Sequence, residues 1–276
     1  MSLMLCLFLN ACQTLSDIPK TQTLIQEAHK KAMEYHEFQS STFLLSTWHR
    51  LDQADHSLII YIEGDGHSMN SRTQVSEDPT PHQALAFALA QKDPRANVVY
   101  LARSCQYLLT KDPLCEPKYW TSHRFSKEVR QAILEAIEYY QHQSKATSIT
   151  LIGYSGGATL AVFAIPNLKI PTRLITIAGD LSHKDMQIYH KSSALLDDCD
   201  PITLASKLIN IPQVHWIGKK DTVVPPNIAT LFTQMQKGSL CWQIKVAPHA
   251  THHQGWIDAW PEYLKVIPQC QNQASL

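Results

Sequence analysis

The chain has 276 residues, 44% apolar, 8% aromatic and 17% charged, a composition that suits one medium-sized globular domain and excludes disordered, collagenous and coiled-coil proteins. Twenty-four basic against twenty-four acidic residues give zero formal charge, so no global field draws the chain to nucleic acid or another polyanion. The seven cysteines contain no C-x-x-C pair, which excludes zinc-ribbon and thioredoxin-type sites.

In chain order, the first element is the apolar run LMLCLFL at residues 3–9. It is too short for a bilayer span, which needs about 20 residues, and has the length of a signal-peptide core. With Leu9-Asn10-Ala11-Cys12 it resembles a bacterial lipobox. That resemblance implies a signal peptide over 1–11, Cys12 as the lipid-bearing residue, and, with Gln13 next to it, the periplasmic side of an outer membrane. The first ten residues hold no Lys or Arg, so an apolar tail on a cytosolic protein stays open as the alternative. A tether and helix are expected over 12–40, and one folded domain over 41–276.

Within that domain, short apolar runs at 42–48, 57–63, 97–103, 148–154, 173–179, 214–220 and 242–247 read as strands. They alternate with helical patterns at 82–91, 125–143, 156–165, 226–236 and 256–266. Continuous apolar strands separated by helices predict a doubly wound, mostly parallel α/β sheet. Gly64-Asp65-Gly66 follows a strand, but position 69 is Met; the dinucleotide fingerprint is therefore incomplete, and there is no phosphate-loop sequence. Between strand 97–103 and helix 125–143, Cys105 and Cys115 flank a polar loop whose closure by a disulfide would contribute about 3 kcal/mol in the chain-entropy model. Such a bond points to an oxidising compartment. Tyr107, Tyr119 and Trp120 of this loop are candidate pocket walls, or simply pack it onto the domain. With Cys6 and Cys12 set aside five cysteines remain, so at least one of Cys199, Cys241 and Cys270 lies outside any internal pair.

The chemistry centres on SITLIGYSGGATLAVFA, residues 148–164. A buried strand runs into Gly153-Tyr154-Ser155-Gly156-Gly157 and a small-residue helix follows. G-x-S-x-G between strand and helix is the nucleophile elbow, in which a strained turn lifts the serine hydroxyl above the sheet. Here the chain resembles the α/β-hydrolase superfamily, from about residue 40 to the end.

The resemblance implies the chain order nucleophile, acid, histidine. After the penultimate strand, VHWIGKKDTVVPP supplies Asp221; Asp180, at the end of RLITIAGD, is the competing acid. After the last strand, WQIKVAPHATHHQGW supplies His249, His252 and His253. His252 stands four residues before Trp256, at the start of the last helix, and is the preferred catalytic base. Adjacent histidines diverge, and no carboxylate or cysteine completes a zinc set around them, so no metal or cofactor is expected. One oxyanion donor would be the N–H of Gly156 and the other, by position, the N–H of Asp65. Many relatives read His-Gly-x where this chain reads Glu63-Gly64-Asp65, and a carboxylate beside an oxyanion opposes catalysis unless it is neutralised. Arg103, at the end of the neighbouring strand, is the candidate partner for Glu63 or Asp65. Residues 180–213 leave room only for a minimal cap. The resulting expectation is an esterase acting on a small acyl substrate and held at the membrane by a lipid anchor. The alternative is an inactive binding lipoprotein of the same fold, or a cytosolic acyl-esterase.

Overall fold

The computed structural model describes residues 20–52, 57–196 and 199–271. The signal-peptide segment and Cys12 lie outside the described residues. The strands are β1 (Glu34–Gln39), β2 (Leu44–Arg50), β3 (Ser57–Ile62), β4 (Val98–Leu101), β5 (Ser148–Tyr154), β6 (Thr172–Ile177), β7 (Gln213–Gly218) and β8 (Trp242–Ala247). They form one open sheet in the order β1-β2-β4-β3-β5-β6-β7-β8. β1 and β2 are antiparallel, as are β2 and β4, and the pairings from β4 through β8 are parallel. The outer strand β1 falls in the stretch expected to be tether. Its sequence EYHEFQ is polar and mostly part-exposed, as suits an edge strand, and so lacks the apolar run that marks the others.

The helices α1 (Lys20–His29), α2 (Leu85–Lys92), α3 (Lys127–Ser144), α4 (Gly156–Ala164), α5 (His183–His190), α6 (Asn227–Gln234) and α7 (Trp260–Tyr263) cover both faces of the sheet. Side-chain alternation divides β3 between them. Leu58, Ile60 and Ile62 join the core under α3, α4 and α6, whereas Ile59 and Tyr61 join the core under α1, α2 and α7. Near-continuous apolar strands are the signature of a sheet buried on both sides, which makes this a doubly wound α/β fold. The helix expected over 256–266 is regular only at Trp260–Tyr263. Pro261 has no N–H to donate and is accommodated only in a helix's first turn, which fixes the start at Trp260.

Between β6 and β7 the described residues add only α5 and a 3-10 segment, Pro201–Leu208, a minimal cap. Cys105 and Cys115 are disulfide-bonded, and a second bridge joins Cys241 to Cys270. Cys199 is in neither bridge, and its thiol donates to the Phe125 carbonyl at 3.3 Å. The 105–124 loop folds back against the domain. Trp120 is buried and donates Nε1 to Ser76 O at 3.0 Å, while Tyr119 meets Phe43 edge-on with ring centroids 4.9 Å apart. Tyr119 and Trp120 therefore pack the loop and are not walls of the Ser155 cleft. Among the described residues no helix is long and apolar enough to cross a membrane.

Candidate active site

Ser155 sits between β5 and α4 with φ 51° and ψ −122°, a conformation that residues with a β-carbon adopt only at a cost of about 1–3 kcal/mol. Close packing of strand and helix enforces it. A β-carbon on Gly153 would lie 2.4 Å from Ala158 Cα, and one on Gly157 would lie 2.2 Å from Ile62 O. The strained turn is tied down on both sides. Ser155 N donates to Ile177 O at 3.0 Å, and Ser155 O accepts from Ala158 N and Asp180 N at 3.0 and 3.1 Å.

His252 reaches this hydroxyl from the loop after β8. Its Nε2 lies 3.1 Å from Ser155 Oγ and its Nδ1 lies 2.9 Å from Asp221 Oδ2. Both His252 and Asp221 are buried. The other oxygen of Asp221 accepts from Val223 N at 2.8 Å and Val224 N at 2.9 Å, so the turn after β7 aims the carboxylate. The His252 carbonyl accepts from Trp256 Nε1 and from Tyr154 OH, each at 3.2 Å. Tyr154, the variable residue of the elbow, thereby anchors the histidine loop as well.

The competing residues are placed elsewhere. His253 is exposed, with Nδ1 2.9 Å from Tyr154 OH; burial, then neighbouring His252, push its imidazole below the usual value. His249 is exposed beyond the end of β8. Asp180 is buried, its Oδ2 3.8 Å from His183 Nε2, and burial holds its carboxyl above the usual range. Among the described residues no group of three or more His, Cys, Asp or Glu could hold a metal ion.

The loop after β3 lies against the nucleophile, since a β-carbon on Gly64 would be 3.2 Å from Ser155 Cβ. The next residue, Asp65, spreads its carboxylate over Gly156, where a β-carbon would fall 2.1 Å from Asp65 Oδ1. Arg103 Nη1 donates to that oxygen, and Arg124 Nε lies 3.0 Å from the second. Both guanidinium groups stack on Phe125, 4.7 and 5.1 Å from its centroid, and Arg103 also donates to the Arg124 carbonyl. Burial pushes the Asp65 carboxyl up, but Arg124 and Arg103 outweigh it and hold the group below its usual value. Asp65 is thus an anion with two cations against it. Of the two acids offered to Arg103, the pairing falls on Asp65.

Glu63 is inaccessible instead, 1% exposed. Its Oε1 accepts from Gly64 N at 3.0 Å and Ala86 N at 3.4 Å, and its Oε2 from Tyr100 OH at 3.1 Å. Burial outweighs these bonds and raises its carboxyl to about 7. Gln106 supports the same loop by donating Nε2 to Gly64 O at 3.0 Å while accepting from Arg103 N at 3.1 Å. Cys105 lies between Arg103 and Gln106, so the Cys105–Cys115 bridge closes the segment that holds the loop. Sequence reasoning missed Arg124, Gln106 and Tyr154. The first two lie in an irregular loop without periodicity, and only the fold returns them to β3.

These elements enclose a cleft of about 530 Å³ over Ser155, lined by Glu63, Asp65, residues 66–68 and 81–83, Tyr154, Val223 and residues 252–254. A nucleophilic hydroxyl and an imidazole with an acid behind it are parts that acyl transfer requires.

A family model described as serine hydrolase (FSH1) matches residues 88–254, from α2 to just beyond His252. No curated protein matches the chain. Among solved structures, an esterase of Pyrococcus furiosus, Pf2001, superposes with a TM-score of 0.60 at 15% identity over 86% of this chain and 91% of its own. Est1E from Butyrivibrio proteoclasticus gives 0.55 at 15% identity, over 84% and 97%. An acylaminoacyl peptidase of Pyrococcus horikoshii gives 0.59 at 14% identity over 87% of this chain; the match spans only 42% of that longer protein. At these identities the likeness is one of fold.

Proposed function

The chain belongs to the serine hydrolase (FSH1) family, and we propose that it cleaves a carboxylic ester through a Ser155–His252–Asp221 triad and an acyl-enzyme. The observation that carries this reading is the unbroken relay from Ser155 Oγ through both ring nitrogens of His252 to Asp221 Oδ2, at 3.1 and 2.9 Å. In the first half-reaction Ser155 Oγ attacks the ester carbonyl while His252 Nε2 takes its proton. Asp221 keeps Nδ1 protonated and stabilises the imidazolium. Negative charge developing on the carbonyl oxygen meets the N–H of Gly156, one of the donors that a helix start leaves without an intrahelical partner, and that of Asp65. Collapse expels the alkoxide, which His252 protonates. Water, deprotonated by the same imidazole, then releases the acid and restores Ser155.

The acidic residue in the oxyanion loop fits this reading because its charge is met by Arg103 and Arg124. Held that way, the carboxylate becomes a brace that presses its own backbone N–H toward the nucleophile. The two disulfides support an extracytoplasmic setting, and with it the cell-envelope lipoprotein reading in which Cys12 carries the anchor. Labelling by a fluorophosphonate probe, abolished in Ser155→Ala, tests the chemistry, and membrane fractionation of wild type against Cys12→Ala tests the anchor. Folded protein that fails to label would favour the binding-lipoprotein reading.

A further inference from the structure

The rings of the adjacent histidines His252 and His253 lie 4.8 Å apart and nearly perpendicular, at 84°. One turns to Ser155, and the other returns to the elbow, where its Nδ1 stands 2.9 Å from Tyr154 OH. His252 is buried, so its carbonyl oxygen must find its hydrogens within the protein. Two side chains offer one, and each has a second place to put it. Trp256 Nε1 carries a single hydrogen and lies 3.2 Å from His252 O but 2.9 Å from Thr251 O. The Tyr154 hydroxyl, kept protonated by burial, also carries one; it lies 3.2 Å from His252 O and 2.9 Å from His253 Nδ1.

Where those hydrogens go depends on His253. If its Nδ1 is bare, that nitrogen takes the Tyr154 hydrogen, and His252 O keeps only the longer branch from Trp256. If Nδ1 carries a hydrogen, it donates to the Tyr154 oxygen, the hydroxyl turns its own hydrogen to His252 O, and Trp256 serves Thr251. The second arrangement gives three hydrogens three acceptors, whereas the first leaves a buried carbonyl short, which is costly. Burial, then neighbouring His252, push the His253 imidazole below its usual value, so at neutral pH the ring is uncharged and has one N–H to place.

We propose that His253 is a positioning residue, which carries its hydrogen on Nδ1 and through Tyr154 holds the backbone of His252 in register with Ser155. The catalytic part of this assignment rests on the acyl-transfer reading above. It gives the exposed histidine of the pair a task, and it couples base to nucleophile, because Tyr154 is the residue before Ser155. Imidazole nitrogen shifts of isotopically labelled protein at mildly basic pH, with His253→Asn identifying the signal, read the tautomer in wild type without turnover. A hydrogen on Nδ1 is expected, and one on Nε2 overturns the proposal. His253→Leu and Tyr154→Phe should each lower kcat for 4-nitrophenyl acetate about fivefold, the rate equivalent of one ordinary hydrogen bond, with KM within about twofold of wild type. Combined, they should lower kcat no further than either alone. His253→Asn, whose amide can donate to Tyr154 in place of Nδ1–H, should regain most of the loss. Losses that multiply in the double variant, or a rise in KM with kcat unchanged, overturn the proposal by making His253 a separate contact of the cleft. Fluorophosphonate labelling, lost in Ser155→Ala, decides the acyl-transfer reading on its own; folded protein that fails to label overturns that reading and not the tautomer, which is read separately.

Discussion

Glu63 offers the sharpest test of the electrostatics around the loop after β3. It is a fully buried carboxyl whose ordinary value of 4.5 is raised to about 7 by desolvation, against the hydrogen bonds from Gly64, Ala86 and Tyr100. Between these two values the unfolded chain has released the proton that the folded protein still holds, so stability must fall as pH rises. The advantage is complete below about 4.5, erodes through the window and is lost above about 7. At 1.36 kcal/mol for each pH unit separating the two values, ionising this one residue costs the fold about 3 kcal/mol. Glu63→Gln removes the titration while keeping the shape, since its amide oxygen can accept from Gly64 N and its amide nitrogen can donate to Tyr100 OH. Urea denaturation of both proteins at pH 5 and pH 8 checks the argument. The variant should gain about 3 kcal/mol relative to wild type across that interval. Parallel stability curves would show that the buried carboxyl does not titrate as described and would refute the reasoning.

Two further predictions concern the parts on either side of Ser155. Asp221→Asn should lower kcat by about four orders of magnitude, through loss of the correct imidazole tautomer, whereas Asp180→Asn should leave kcat within tenfold because Asp180 meets His183 and not His252; steady-state kinetics on an activated ester decides, and the reverse ranking would move the acid to Asp180. Replacing Cys105 and Cys115 together by Ser should lower the unfolding free energy by about 3 kcal/mol and slow fluorophosphonate labelling, because the bridge closes the segment carrying Arg103 and Gln106; a change in the urea midpoint with labelling unaltered would confine the bridge to stability.

The parts of this protein that were legible in its sequence are those where one local rule dominates. The strands β3 to β7 announce themselves because burial on both faces demands largely apolar runs, and the elbow does so because only glycine tolerates the contacts at positions 153 and 157. The edge strand β1 was not legible, since an exposed, polar strand looks like any other polar stretch. The loop after β3 was legible only as an anomaly. Glu63-Gly64-Asp65 puts two acids where the chemistry wants donors, and charge alone asked for a cation and pointed to Arg103. That a second cation, Arg124, closes on the other carboxylate oxygen depends on how residues 105–124 fold back through a disulfide and Trp120, and no periodicity encodes that path. The same distinction separates the two acids. Alike in sequence, they part in the fold, Asp65 held anionic by two guanidinium groups and Glu63 pushed toward neutrality by burial. The part-exposed acid of this loop is thus met by two cations while the buried one is shifted toward its neutral form, which answers the objection that two acids raise to the proposed oxyanion site.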